Sequence, residues 1–241
     1  MIFIRTLFHQ PAEGRICGRY HKIIQDMQQV KSHFNHPFKA LCFGKDNYEL
    51  CKSEGFDAVQ IWDESSKYLL SEDDSKSQIY QNKVWAIEWA MEEYGEPIIY
   101  LDWDCLPIKP FKIDDLVFKN DFAANLMWYK RPKCWWRKDK EDWNLVPNGG
   151  FVYIGTQSMI DKIWQAQKDT AQANQGCHND EPFYMKAIDD LEGGWIGKDK
   201  WLQKYESPYS VLNKNGIFSD PNAIFCHYIG YKHTRFGRIH A

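Results

Sequence analysis

Along the first hundred residues, short apolar runs alternate with segments whose apolar positions have helical spacing. The runs predict four strands, over residues 2–8, 38–43, 57–62 and 97–101. Apolar positions that recur about every 3.6 residues predict amphipathic helices over 20–33 and 78–94. The polar segment 64–77 is interpreted as a loop. This order of elements is typical of the parallel sheet in a nucleotide-binding half-domain.

The second half of the chain has shorter periodic segments. They predict strands over 123–128, 151–154, 209–213 and 223–228, and helices over 157–168 and 181–191. A long loop is predicted over 129–147, where basic and aromatic residues replace the periodic pattern. The whole pattern predicts an α/β fold with a Rossmann-type, mostly parallel central sheet flanked by helices.

The composition fits a single domain over residues 1–241. Apolar residues make up 44% of the chain and charged residues 26%, which is enough for one sizeable core. The formal net charge of -3 gives no overall case for binding nucleic acid or membranes. The 7 cysteines are scattered and form no C-x-x-C pair, so a disulfide framework or zinc knuckle is not expected. No run predicts a transmembrane span or signal peptide, and a cytoplasmic protein is expected.

Candidate chemistry begins where the buried strand over 97–101 ends. Asp102 and Asp104 follow this strand directly, and Pro107 and Pro110 are expected to stop regular structure beyond them. Open α/β sheets bind ligands outside the carboxyl ends of their strands. Two adjacent carboxylates repel each other, so they require a cation or a shared proton. Hard oxygen ligands suit Mg²⁺ or Mn²⁺, which also bind phosphate oxygens.

Two functional interpretations of this acid pair follow from the residues. A divalent ion held there would bridge the phosphates of a nucleotide and neutralise a diphosphate leaving group. In a D-x-D phosphohydrolase, the first acid would instead attack a phosphate. The phosphohydrolase is disfavoured, because its acids come early in the chain and because Cys105 and Leu106 do not match the residues expected after them.

His227 follows another apolar run and is a candidate third metal ligand. A lone histidine after a strand is more often structural, but three ligands hold an ion more firmly than two. Imidazole also suits Mn²⁺ better than Mg²⁺. Downstream, Gly230 would allow close approach of the backbone, and Lys232 would pair with a phosphate.

Three further features have both a structural and a functional interpretation. Residues 148–150 (Asn-Gly-Gly) form a turn, or a piece of backbone that a sugar approaches closely. Residues 179–181 (Asn-Asp-Glu) cap a helix, or place a carboxylate beside the reacting carbon. Lys83, within the predicted helix, belongs by default to a solvated face.

Residues 128–143 have the most unusual composition, since they combine several tryptophans with an excess of basic side chains. One interpretation is a loop that its tryptophans pack against the domain. A second is an acceptor platform that stacks on sugars, and a third is a strip that follows phosphates and stacks on bases. The third makes a non-catalytic nucleic-acid-binding protein an alternative, which the overall acidity disfavours.

Five segments together resemble a known enzyme family. They are 82–90 (NKVWAIEWA), 97–111 (PIIYLDWDCLPIKPF), 148–155 (NGGFVYIG), 179–183 (NDEPF) and 227–232 (HYIGYK). Over nearly its whole length the chain resembles GT-A-type nucleotide-sugar glycosyltransferases, and most closely the glycogenin and galactosyltransferase relatives of glycosyltransferase family eight. The resemblance implies a single GT-A-like domain. Its nucleotide-binding half would span 1–104, and 105–241 would contain the acceptor-binding half and the metal-binding C-terminal segment.

The resemblance also implies a role for each matched position. The metal, Mn²⁺ or Mg²⁺, would be held by Asp102, Asp104 and His227. The groups acting at the reacting sugar would be Asn148, Lys83 and Asp180. Of these, Asp180 would lie near the anomeric carbon. The groups binding the nucleotide sugar would be Thr6, Leu7, Phe8, Lys83, Asp102, Trp103, Gly149, Gly230, Lys232 and Arg235. Of these, residues 6–8 would face the base.

The implied activity is transfer of a hexosyl or pentosyl group from a nucleoside-diphosphate sugar, expected to be a UDP-sugar, to an acceptor hydroxyl with retention of configuration. The acceptor would be a glycan or glycolipid, or else a modified DNA base contacted by residues 128–143. Two departures from the family leave details open. The lysine after His227 comes one residue early and lacks the following Pro-Trp, so either Lys232 or Arg235 would bind phosphate. Glu181 stands where the family often has glutamine, which leaves the donor sugar and the stereochemistry open.

Overall fold

The structure is a computed structural model that describes residues 1–8, 17–61, 75–130, 143–173, 180–191, 204–212 and 222–228. The strands and α-helices of these ranges are, in chain order, β1 (Ile2–Leu7), α1 (Cys17–His33), β2 (Lys39–Cys42), α2 (Lys45–Ser53), β3 (Asp57–Gln60), α3 (Ser75–Tyr94), β4 (Ile98–Leu101), β5 (Cys105–Pro107), β6 (Phe122–Lys130), β7 (Trp143–Ile154), α4 (Gln157–Ala173), α5 (Glu181–Leu191), β8 (Ser210–Leu212) and β9 (Phe225–His227). None of these helices combines the length and apolar character needed to cross a membrane.

A six-stranded central sheet has the strand order β3-β2-β1-β4-β7-β6. Strands β3, β2, β1 and β4 are parallel, whereas β7 runs antiparallel to β4 and to β6. The prediction of an α/β fold with a mostly parallel sheet is therefore confirmed. Strand β2 pairs with β1 on one side of β1, and β4 pairs with β1 on its other side. The carboxyl ends of β1 and β4 therefore flank the kind of switch point where such sheets bind ligands.

The strand that leads to the acid pair is buried on both faces, as its composition predicts. Ile98 and Tyr100 belong to a core cluster that includes side chains of α3, α4 and α5. Ile99 and Leu101 belong to the cluster on the opposite face, which includes side chains of α1 and of β9. All four side chains are at most 2% exposed. The alternation fixes the register of β4, because a slip of one residue would exchange the two faces.

A second sheet, with the order β5-β9-β8, begins directly after the acid pair. Strand β5 pairs antiparallel with β9, and Cys105 lies opposite His227. Regular structure stops at Pro107 as expected, because Pro107 is the last residue of β5, where it lies opposite Phe225. Strand β5 is an edge strand, where a missing N–H donor costs little. This pairing positions the site, because it brings the histidine segment onto the acid turn.

Two other segments differ from their predicted structure. The helix α2 was not predicted, and it supplies the crossover that the parallel strands β2 and β3 require. The predicted loop over 129–147 is partly strand, because β6 and β7 form a ladder from Phe122 opposite Ile154 to Lys130 opposite Trp143. Within the segment 64–77, residues 64–74 lie outside the described ranges, and the last three residues belong to α3.

Candidate active site

Asp102 and Asp104 lie in the turn between β4 and β5, at the carboxyl edge of the central sheet. The turn is closed by the N–H of Cys105, which donates to the carbonyl of Asp102 at 2.9 Å. His227 Nε2 lies 3.1 Å from Asp104 Oδ1 and 3.8 Å from Asp102 Oδ2. One ligand atom from each of the three residues lies within 4.8 Å of the others. The structure thus brings together the three residues predicted to hold a metal.

Asn148 determines the orientation of the His227 ring. Its Oδ1 accepts the Gly150 N–H at 3.0 Å and lies 2.7 Å from His227 Nδ1. Its Nδ2 donates to Glu181 Oε1 at 3.0 Å. An amide oxygen only accepts, so Nδ1 of His227 carries hydrogen and Nε2 faces the two acids. A neutral ring would direct its lone pair at two carboxylates, so this geometry requires a proton or a metal ion between them.

The electrostatics of His227 agree with a cation site. Burial lowers the pKa of His227, but Asp104 and Asp102 outweigh that effect and raise it above its ordinary value. The same field that favours a proton on Nε2 favours a divalent ion in its place. The side chains of Asp102 and Asp104 are 28% and 24% exposed, so both acids are accessible from solvent. Two carboxylates and one imidazole suit Mn²⁺, and these residues therefore fit a divalent metal.

Lys83 lies beneath Asp102 and is only 5% exposed, so assigning it to a solvated face is wrong. Its Nζ lies 2.9 Å from Asp102 Oδ1 and 4.0 Å from Asp180 Oδ2. It also donates to the carbonyl of Gly149 at 3.5 Å. Burial lowers the pKa of Lys83, but Asp102 and Asp180 raise it well above its ordinary value. Lys83 is therefore a fixed buried cation between two carboxylates.

Asp180 immediately precedes α5 and is 2% exposed. Its carbonyl accepts the N–H of Phe183 at 2.9 Å, which begins the helix. Burial raises the pKa of the Asp180 carboxyl, and the charge of Lys83 opposes that shift. Residues 180 and 181 can therefore both begin a helix and present a carboxylate to the site, so the two interpretations of residues 179–181 are compatible. Residue 179 lies outside the described ranges.

Gly149 and Gly150 lie within β7, so their interpretation as a turn is wrong. A Cβ at Gly149 would overlap Asp180 Oδ2 and would stand 2.9 Å from Asp180 Cγ. A Cβ at Gly150 would overlap the His227 ring and would stand 2.6 Å from Nε2. Carbon contacts normally begin at about 3.5 Å. Only glycine therefore lets Asp180 and His227 approach this strand so closely.

Thr6 and Trp103 connect the end of β1 to the acid turn. Thr6 Oγ1 lies 3.0 Å from the hydroxyl of Tyr100, and this hydroxyl donates to Asp102 Oδ1 at 2.9 Å. Trp103 Nε1 donates to the carbonyl of Thr6 at 2.8 Å. Asp102 Oδ1 is thus held by Tyr100 and by Lys83, which leaves Oδ2 on the side of His227.

Other positions named from the resemblance contribute less to this geometry. Leu7 and Phe8 are 2% and 5% exposed and pack into the core, and their contact with a nucleotide base stays a prediction. Gly230, Lys232 and Arg235 lie outside the described ranges.

Comparison with known proteins reveals the fold. No protein-family model and no curated protein sequence matches the chain. The galactosyltransferase LgtC, solved in complex with donor and acceptor sugar analogues, is similar over 99% of this chain and 95% of its own, with a TM-score of 0.52 and 13% identity. The chain has a GT-A-like fold. A glycosyltransferase involved in glycosylation of the major capsid of PBCV-1 is similar over 99% of this chain and 98% of its own, with a TM-score of 0.44 and 15% identity.

The GT-A-like domain predicted from the sequence is thereby confirmed, and its membership of family eight stays a prediction. Two contributors to the site were missed. Tyr100 had a signal, because residues two apart on a strand share a face, and Tyr100 is two residues before Asp102. Glu181 belongs to the segment 179–181 that the sequence singled out, but nothing indicated its bond to Asn148, which joins two elements far apart in sequence.

Glu181 should make stability depend on pH. Burial and then Asp180 raise the pKa of Glu181 from 4.5 to about 8. The folded protein therefore holds this proton more tightly, and the contribution to stability is lost as the pH rises from 4.5 to about 8. Glu181→Gln, which keeps an acceptor for Asn148, should gain about 1–2 kcal/mol over wild type between pH 5 and pH 8, allowing for partial exposure. Urea unfolding at each pH measures this difference, and parallel profiles would contradict it.

A cavity of about 290 Å³ lies at the opposite end of the GT-A-like sheet, beside the start of β6 and of α4. Its lining includes Lys119, Phe122 and Lys162. It shares no residue with the acid and histidine cluster and is therefore not the site described above.

Proposed function

We propose that this protein is a metal-dependent glycosyltransferase. It would move a hexosyl or pentosyl group from a nucleoside-diphosphate sugar, with UDP as the nucleotide, to an acceptor hydroxyl with retention of configuration. The observation that carries the proposal is the convergence of Asp102, Asp104 and His227 at the carboxyl edge of a GT-A-like sheet. LgtC, which shares the fold at low identity, is a galactosyltransferase, and this agrees with the proposal.

The three converging side chains would hold Mn²⁺ or Mg²⁺. A divalent ion there would supply positive charge to a departing nucleoside diphosphate. Asn148 keeps hydrogen on His227 Nδ1 and so keeps Nε2 available as a ligand. Both ends of its amide are engaged, and its side chain is 6% exposed. These contacts support a role in which Asn148 orients His227 as a metal ligand.

Lys83 and Asp180 would act on the sugar side of the metal ligands. Lys83 is a charged group that is already desolvated, so it would stabilise negative charge without reorganising water. Asp180 would lie near the anomeric carbon, next to the backbone of Gly149, where the absent Cβ allows close approach. Thr6, Leu7, Phe8 and Trp103 would bind the nucleotide. Gly230 with Lys232 or Arg235 would bind the diphosphate.

The acceptor would be a glycan or glycolipid. A modified DNA base contacted by residues 128–143 stays a prediction, because residues 131–142 lie outside the described ranges. The D-x-D phosphohydrolase has less support, because its acids follow an early strand whereas these follow β4.

Asp104→Asn should remove Mn²⁺-dependent hydrolysis of a nucleotide sugar, by more than about 100-fold, because a neutral amide is a poor metal ligand. The donor is first identified by thermal shift with a panel of nucleotide sugars. The true donor should raise the melting midpoint more than the others, and most in the presence of Mn²⁺. The matched control is Asp114→Asn, an exposed acid outside the site. Near-normal Mn²⁺-dependent activity in Asp104→Asn would remove the metal assignment.

A further inference from the structure

Arg5 is a fully buried cation that the proposed chemistry does not use. It lies on β1 with 0% exposure, among apolar neighbours along the strand. Burial lowers the pKa of Arg5 to about 10, so the guanidinium is still charged at neutral pH. Burying a charge without partners is costly, so the contacts of this group should explain why it is there.

The guanidinium holds both ends of the acid turn. Nη1 donates to the carbonyl of Asp102, and Nη2 donates to the carbonyl of Cys105 at 2.9 Å. The two carbonyls flank Trp103 and Asp104, so one planar group spans the whole turn. A guanidinium presents its donors in a rigid fork, which a lysine cannot reproduce.

Aromatic side chains hold the guanidinium in turn. Its central carbon lies 5.0 Å from the ring centroid of Phe34, 5.3 Å from that of Phe38 and 5.7 Å from that of Trp103. Trp103 also donates from Nε1 to the carbonyl of Thr6, the residue next to Arg5. These cation–π contacts offset part of the desolvation and restrict the group to one position.

From this geometry we infer that Arg5 is a positioning residue for the metal centre, acting through the backbone of the acid turn. The inference rests on the proposed function. Arg5 fixes the turn so that Asp102 and Asp104 face His227 before an ion binds, and its charge reduces the repulsion between the two acids. A ligand set arranged in advance binds an ion without the entropy cost of ordering the turn.

The test compares metal affinity with stability. Arg5→Lys keeps the charge and loses the fork, and Arg5→Met loses both. We expect the Kd for Mn²⁺, measured by calorimetry below each melting midpoint, to rise by about tenfold or more in Arg5→Lys and further in Arg5→Met. The control is Ile163→Ala, a core truncation in α4, which should lower the melting midpoint and leave the Kd unchanged.

An unchanged Kd in the folded Arg5 variants would overturn the inference. If neither variant folds, Phe34→Leu takes their place, because it removes the nearest aromatic contact and keeps Arg5. A weaker Mn²⁺ affinity in Phe34→Leu then supports the inference, and an unchanged one overturns it. Failure of the proposed function is distinguishable, since wild type would then bind Mn²⁺ no better than Asp104→Asn.

Discussion

Replacing Gly150 by alanine should abolish divalent metal binding while the central sheet still folds. The new Cβ would overlap the His227 ring, which must then leave its bond to Asn148 and its position opposite Asp104. Overpacking of this kind costs about 1–3 kcal/mol of stability, which a domain of this size tolerates. Calorimetry should show a loss of Mn²⁺ affinity of more than about 100-fold, and nucleotide-sugar hydrolysis should fall with it.

The neighbouring Gly149→Ala is a matched control for this experiment. Its Cβ would overlap Asp180, whose atoms are its nearest contacts, whereas the nearest contacts of a Cβ at Gly150 are atoms of His227. We expect Gly149→Ala to bind Mn²⁺ like wild type and to lose sugar transfer. Equal loss of Mn²⁺ affinity in both variants, or none in Gly150→Ala, would contradict the geometry of the site.

These glycines illustrate where a sequence pattern misleads. Asn-Gly-Gly is turn chemistry, and a turn is one of its two interpretations because nothing local indicates what packs against it. In the folded protein the two glycines continue β7, and their missing Cβ atoms make room for side chains from β9 and from the start of α5. The reason for a glycine in a strand is thus a neighbour distant in sequence.

The path of the chain to Asp102 could be predicted, because β1, β2 and β4 coincide with short, mostly apolar runs of a length that suits a strand. Helix α2 lacks an apolar stripe, since the buried residues among its nine are Asn47 and Cys51. Its existence follows from topology, as two successive parallel strands need a crossover. The crossover has to lie between β2 and β3, and α2 occupies that stretch.

The metal ligands could be proposed from spacing and resemblance, whereas the burial of the two cations that hold the acid turn could not. Asp102, Asp104 and His227 stand at the ends of apolar runs, where side chains reach the edge of a sheet. Arg5 and Lys83 lie within a predicted strand and a predicted helix, where a charge is ordinarily solvated. Their burial depends on carboxylates and carbonyls that arrive from other elements.

The buried cation Lys83 leads to the second large effect. Lys83→Met should destabilise the protein by about 2–3 kcal/mol, below the usual cost of breaking a fully buried pair because Asp102 is partly exposed. It should also lower kcat/KM for a nucleotide sugar by about 100-fold or more, as a fixed charge next to the metal ligands is lost. Urea unfolding measures the first effect, and Lys162→Met, an exposed lysine on α4, should stay within about 0.5 kcal/mol of wild type.

The pH dependence of this loss identifies its cause. Without Lys83, the carboxyl of Asp180 keeps its burial and loses the charge that opposed its raised pKa. The folded variant then holds a proton that the unfolded chain releases near pH 4, so its stability should fall as the pH rises from about 5 to 8. Adding Asp180→Asn removes the buried charge and should recover about 1 kcal/mol or more at pH 8, with little gain at pH 5. If the effects of Lys83→Met and Asp180→Asn add at both pH values, Lys83 and Asp180 do not interact, and the carboxylate that keeps Lys83 charged is Asp102.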